Sequence, residues 1–260
     1  MKNIILILTS LLFLTGFTGE KVVSQLQDRG GVKHELNSKI NFTGLLVEKY
    51  RNGQKKLEEH YKDGRLDGLS TFWYDSGKKQ YVGNYKKGKA DGLSTFWYDN
   101  GTKKSEANYK EGKEDGLRVW WYDNGRKWIE DSYKDGKLDG FQTDWYNNGH
   151  KKYEGSYKNV KKEGRHTWWF ENGQKKYEEN YKDGMKNGLR TFWYDNGQKR
   201  IKENFKDGKL DGIRTDWYDL GQKKYEGNYK NGKQEGLHTW WYDNGQKVTD
   251  GNYKDGVLVK

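Results

Sequence analysis

The chain has 260 residues, 33% of them charged, with 49 basic against 38 acidic side chains and a formal net charge of +11. It contains no cysteine, which excludes disulfides, thiolate metal sites and thiol nucleophiles, and no proline, which suits a chain of paired strands. So polar a composition often leaves a chain disordered, but aromatics make up 16% of it and recur at fixed positions, which a disordered polyelectrolyte does not require.

In chain order, Lys2 precedes an apolar run from Ile4 to Leu14 and then the small, polar stretch Thr15-Gly16-Phe17-Thr18-Gly19-Glu20. This is the layout of a secretory signal peptide, too short for a membrane span of about 20 residues. Residues 1–19 are therefore expected to be an export signal, which places the mature chain in a periplasm, on an outer surface or in the medium. Residues 20–43 read as a degenerate capping unit ending in Asn41-Phe42-Thr43.

From residue 44 to residue 260 the chain repeats every 24 residues, nine times. One glycine series runs from Gly44 to Gly236, a second from Gly53 to Gly245, and a third from Gly64 to Gly256 that fails only at Val160. A fixed short period means an array in which each unit buries its apolar face against its neighbours. In the unit 68–91, Leu69 to Tyr74 has the β-branched and aromatic content of a strand, Asp75-Ser76-Gly77 is a turn, and Lys78 to Tyr85 is a second strand. The predicted fold is all-β: an elongated single domain of stacked antiparallel β-hairpins. With strands about 4.8 Å apart, nine units advance roughly 90 Å.

The turn sets the expected register. Leu220 at the Ser76 position tolerates positive φ poorly, so a three-residue loop closed by a left-handed glycine is preferred over a two-residue type I′ turn. This loop pairs Tyr74 with Lys78, Trp73 with Lys79 and Thr71 with Tyr81, and puts Leu69, Thr71, Trp73, Tyr81, Gly83 and Tyr85 on one face. Tryptophan holds the Trp73 position in eight of nine units, so that series is expected to be the buried spine. The neighbouring row, Phe72, Phe96, Trp120, Trp168, Phe192 and Trp240, is interrupted by Asp144 and Asp216 and is expected to face water in part.

Two surfaces could bind. Lysine pairs follow each turn, with Lys78, Lys79, Lys103, Lys104, Lys151, Lys152, Lys175, Lys176, Lys223 and Lys224 as the candidate basic stripe. A further lysine follows each aromatic from Lys62 to Lys254. Such ladders attract acidic proteins, anionic lipid or lipopolysaccharide, with nucleic acid a poorer match. The row of Phe72, Phe96, Trp120, Trp168, Phe192 and Trp240 could stack on a glycan or form an apolar protein contact. Against both stand plain structural roles, lysines solvating the sheet and rings packing across it.

The segments YEGNYKNGKQEG (225–236), YVGNYKKGKADG (81–92) and YEGSYKNVKKEG (153–164) resemble the MORN repeat, whose signature is an aromatic, Glu-Gly, an aromatic, Gly-Lys and a closing Gly. The entry into the array, INFTGLLVEKYRNGQKK (40–56), is similar to the start of the YwqK-type antitoxin family. The resemblance implies an elongated antiparallel sheet, binding of proteins or lipid surfaces, and no catalysis in the repeats. An antitoxin acting on an internal toxin would stay in the cytoplasm, which the expected export signal opposes.

No nucleophile motif or phosphate-binding loop appears, and neither catalytic residue, metal nor cofactor is expected. The acidic residue before each closing glycine does not gather oxygens as calcium requires and reads as part of a turn. His34, His60, His150, His166 and His238 read as scattered through the repeat, without zinc spacing. The resulting expectation is an exported, non-enzymatic scaffold at a bacterial envelope that engages another protein, with a host-cell protein among the candidates; an antitoxin role and glycan binding are the alternatives.

Overall fold

The computed structural model describes residues 20–259; the expected export signal lies outside them. Residues 44–259 form one continuous antiparallel sheet in which each strand pairs with the next in sequence, giving 21 strands once Val22–Val23 joins in parallel beside Gly44–Lys49. Residues 20–43 lie against that first edge. Lys21 accepts from the Leu45 amide at 2.7 Å and Phe42 accepts from the Gly64 amide at 2.7 Å. Phe42, Leu46, Leu57 and Tyr61 make a buried cluster there.

Each unit begins with a strand such as Arg65–Trp73 and returns as one such as Lys79–Lys86. The three-residue loop forms as expected: the Tyr74 amide donates to Lys78 at 2.9 Å, the Gly77 amide donates to Tyr74 at 2.9 Å, and Gly77 has φ 83°. The second turn, Lys87-Gly88, has φ 50° and 80°, a type I′ geometry that glycine accepts and other residues strain to adopt. Val160 is forced into it at φ 69°.

Neighbouring units are tied turn to turn. Tyr74, Tyr98, Tyr122 and Tyr146 each donate a hydroxyl proton to the carbonyl of the next unit's tryptophan, at 2.7–2.9 Å. Asn52, Asn100, Asn148, Asn172 and Asn196 donate a side-chain amide to the next unit's turn carbonyl. Seven closing glycines follow an acidic residue, and each of these seven accepts a backbone N–H 20 residues on, as Asp67 does from Lys87 at 3.0 Å. Its turn role is thus to join two successive turns.

The expected register holds only at the turn. Trp73 pairs with Lys79, but Phe72, and not Thr71, pairs with Tyr81. A β-bulge after the Trp73 position leaves Gln80 as an extra residue, and it recurs in every complete unit, as at Phe96/Trp97 and Trp168/Trp169. Because side chains alternate with period two, one inserted residue exchanges the faces. Phe72, Ser70, Tyr81, Gly83 and Tyr85 share one side, the tyrosine face. Trp73, Thr71 and Leu69 share the other, the tryptophan face.

Candidate functional site

On the tryptophan face the tryptophans are half-buried, and six of the eight lie beneath a lysine. Lys103 stands over Trp121 at 5.6 Å, Lys151 over Trp169 at 5.9 Å, Lys175 over Trp193 at 5.5 Å and Lys223 over Trp241 at 5.9 Å. The same lysines reach a carboxylate three residues on: Lys103 to Glu106, Lys151 to Glu154, Lys175 to Glu178 and Lys223 to Glu226. Their charge is already met.

The second lysine of each pair points the other way. It occupies the bulge position that Gln80 holds, and Lys104, Lys152 and Lys224 lie over Tyr98, Tyr146 and Tyr218, and Lys176 over Phe170, on the tyrosine face. Lys78 belongs to neither row. Aligned on the turn glycine, Lys79 matches Lys103, while Lys78 matches Thr102 and donates to the Asp99 carbonyl. The lysine pairs therefore do not form one stripe.

A different basic ladder does. Lys86 pairs across the second turn with Lys89, Lys110 with Lys113, Lys134 with Lys137, Lys158 with Lys161, Lys206 with Lys209 and Lys230 with Lys233. All are exposed, and among the described residues only Lys233 of these lies within 4.0 Å of a carboxylate, that of Asp255. The half at Lys86, Lys110 and onward is visible in the sequence; its partners across the turn become neighbours only once the register is known. Beside this ladder on the tryptophan face runs the row of Leu69, which the expected register put on one face with the tyrosines: Leu69, Leu93, Leu117, Phe141, Leu189, Ile213 and Leu237 are 41–70% exposed. The bulge accounts for the reversal.

The tyrosine face is aromatic and polar at once. Rings on successive strands stack in two runs. Phe72–Tyr81–Phe96 has centroid spacings of 5.7 and 4.5 Å, and Tyr153–Trp168–Tyr177–Phe192 has 4.8, 4.1 and 5.4 Å. Trp240 stands 5.3 Å from Tyr225, and Trp120 meets Trp128 edge-on. Of the expected aromatic row, Phe96 is exposed and the other five are half-buried, so the row takes part in packing. Neither aromatic series is alone the spine.

Beneath these rings runs a line of buried polar groups that sequence reasoning missed. The Gly83 position shows why it forms. A Cβ at Gly155 would lie 2.2 Å from His166 Nδ1 and 2.4 Å from the Tyr153 hydroxyl oxygen, and Gly227 meets His238 and Tyr225 in the same way. The glycine of the Tyr-Glu-Gly signature leaves room for the tyrosine to fold over and bond the residue on the next strand. Tyr153 meets His166 Nδ1 at 2.6 Å and Tyr225 meets His238 Nδ1 at 2.6 Å. Both histidines are fully buried, and burial holds His166 down at about 4 and lowers His238.

In three of the four units where the glycine becomes an acid, the ring is exchanged for a branched aliphatic: Leu57 goes with Glu59, Ile129 with Asp131 and Ile201 with Glu203. The fourth keeps Tyr177 beside Glu179, a buried acid that accepts from the Tyr181 hydroxyl at 2.5 Å and meets Lys186 at 3.3 Å. The buried acids then find partners: Arg118 reaches Asp131 at 2.6 Å, and Glu203 bridges Arg190 at 2.5 Å and Arg214 at 3.2 Å. A signal for this row was present in sequence. His238 follows His166 and Arg190 follows Arg118 by 72 residues, three periods. Two of the histidines are thus not scattered but occupy one repeat position.

Among the described residues no group of three or more His, Cys, Asp or Glu is gathered to hold a metal. No curated protein matches the chain. The profile of the MORN repeat variant matches nine times in succession, at residues 42–63, 66–87, 90–111, 114–135, 138–159, 162–183, 186–207, 210–231 and 234–255. An all-β array whose two turns recur through these segments belongs to the MORN repeat variant family, whose repeats serve as scaffolds for protein or membrane interaction.

Proposed function

We propose that the chain is an exported, non-enzymatic binding scaffold whose ligand is an acidic surface on another protein, engaged along the lysine ladder of the tryptophan face. The observation that carries this reading is the double row from Lys86–Lys89 to Lys230–Lys233. It lacks carboxylate partners along most of its length, while the lysines over the tryptophans are neutralised in place. Charges repeated roughly 10 Å apart over several units favour a multivalent, extended contact. The exposed Leu93, Leu117 and Leu189 beside them supply apolar area to a contact that electrostatics alone would leave loose.

The test is titration of the mature chain with polyglutamate at rising salt. Affinity should fall steeply as screening shortens to about 8 Å at 0.15 M. Replacing Lys110, Lys113, Lys134 and Lys137 with Glu should weaken it roughly tenfold or more. The same change at Lys103 and Lys151, which already have carboxylate partners, should do less. Equal loss from both sets would contradict the reading. Binding to vesicles containing phosphatidylserine but not to polyglutamate would move the partner to a lipid surface. N-terminal sequencing of the mature protein from cell fractions tests export; an intact N-terminus in the cytosol would return the antitoxin role to the front.

A further inference from the structure

The aromatic stack on the tyrosine face has one break with a ring on each side. Phe96 and Trp120 lie on strands Lys89–Trp97 and Lys113–Trp121, and the strand between them, Lys103–Lys110, places Ser105 where Tyr81, Tyr153, Tyr177 and Tyr225 stand in other units. Ser105 pairs with Phe96 on one side and with Trp120 on the other. Elsewhere a missing ring is made good. Ile129 and Ile201 fill their places above a buried acid, and beside Thr249 the Leu258 side chain approaches Gly251. At Ser105 nothing compensates, because the residue two on is Ala107.

The result is a cavity of about 270 Å³ lined by Phe96, Ser105, Ala107, Tyr109, Arg118 and Trp120, with Lys104 at its side. It opens on a larger hollow that shares Phe96, Lys104 and Tyr109. Its volume is just below the range of drug-sized sites, about 300–1,000 Å³, and suits one ring with its substituent. Two strand spacings put the backbones of Phe96 and Trp120 about 10 Å apart. One planar ring between them would sit about 5 Å from each, the spacing the chain's own rings adopt at 4.1–5.7 Å. The wall also holds an unmet donor. The Arg118 guanidinium is committed to Glu114, Asp131 and Tyr133, but its Nε–H is buried without a partner. Since Arg118 is already paired with two carboxylates, an uncharged oxygen is a better acceptor there than a third anion.

The geometry points to a ring-binding site between Phe96 and Trp120 that takes a hydroxylated planar aromatic, the chemistry of a phenol or a tyrosine side chain, which completes the stack and accepts from Arg118. The site lies on the opposite face from the lysine ladder and stands or falls independently of it. A chain of the family need not carry it, since it comes from the local pair Ser105 and Ala107.

Titration of the full mature chain with phenol, followed by tryptophan fluorescence and calorimetry, should show saturable binding at one site per chain. Ser105→Tyr, which restores the residue of other units and fills the gap from within, should weaken phenol roughly tenfold or more, the contribution of one stacked ring. Ser105→Ile, the residue type at 129 and 201, gives a second filled variant should the first fold poorly, and Trp168→Leu outside the site should leave binding unchanged. N-acetyl-tyrosinamide should bind better than N-acetyl-phenylalaninamide; equal binding would overturn the role of Arg118. If Gly-Gly-Tyr-Gly-Gly binds at least as well as phenol, the ring belongs to a polypeptide partner. If only free phenol binds, the ligand is a small molecule. Non-saturable binding of phenol, or equal binding by the Ser105 variants, overturns the site.

Discussion

Two kinds of returning strand share one backbone. In Lys151–Lys158 and Lys223–Lys230 a tyrosine lies across a glycine and bonds a buried histidine. In Lys127–Lys134 and Lys199–Lys206 an isoleucine stands clear of a buried acid that an arginine on the next or preceding strand meets. The pairing register with the preceding strand is the same in both; toward the next strand Ser156 pairs with Glu163 and Asn228 with Glu235 only in the tyrosine kind. The space under the ring accepts different chemistries, and in these two kinds the ring position and the glycine position differ together, while Lys175–Lys182 keeps a tyrosine beside the acid Glu179.

The largest effect should come from forcing one kind into the other halfway. Gly155→Asp puts a carboxylate under Tyr153 with no arginine to meet it, combining overpacking with an unpaired buried charge, and should lower stability by about 3–5 kcal/mol in urea unfolding. Adding Tyr153→Ile should recover at least about 1 kcal/mol beyond additivity; strictly additive values would break the exchange argument. In the other kind, Arg118→Leu strands Asp131, whose contact with Arg118 is its salt bridge, and should cost about 3 kcal/mol; Asp131→Asn in the same chain should restore much of it.

Acid separates the two kinds more gently. His166 is held near 4 by burial, so the unfolded chain takes up a proton below about pH 6.5 that the folded chain refuses. Its contribution is whole above that value and is lost as pH falls toward 4. Stability should drop by about 2 kcal/mol between pH 7 and pH 4.5 on this account, and His166→Gln should flatten the profile. An unchanged slope in that variant would assign the loss elsewhere. The smallest effect makes the two units whose tyrosine bonds a histidine comparable. They differ at the following turn, where Val160 sits at φ 69° and Gly232 at φ 85°. Val160→Gly should raise the urea midpoint by an amount equivalent to about 1 kcal/mol.

Much of this was legible in the chain. The period, the strands, the three-residue loop and the capping segment follow from glycine series and aromatic runs, because a left-handed turn residue marks itself as glycine. The face assignment did not follow. One extra residue after each tryptophan, Gln80 in the first full unit, reverses the alternation, and nothing in its type marks it as a bulge. The lysine pairs were read as one stripe for the same reason. Counting from the turn glycine shows Lys78 out of phase with Lys103, but the split of Lys103 from Lys104 needs the pleat. The buried polar row was hidden because the residues at one repeat position, Ser70, Arg118 and His166, have no common type; only the three-unit recurrence of Arg118 at Arg190 and of His166 at His238 points to it.

The central claim is that the bulge sends the leucine row outward with the lysines and the polar row inward beneath the tyrosines. The chain has no cysteine, so single cysteines report exposure directly. Leu93→Cys and Leu117→Cys should react with a maleimide at the rate of an open thiol in the folded protein. Ser94→Cys and Thr95→Cys, at positions 4% and 6% exposed, should react far more slowly, gated by unfolding. Protection at 93 and 117 with free reaction at 94 would restore the unbulged register and contradict the account.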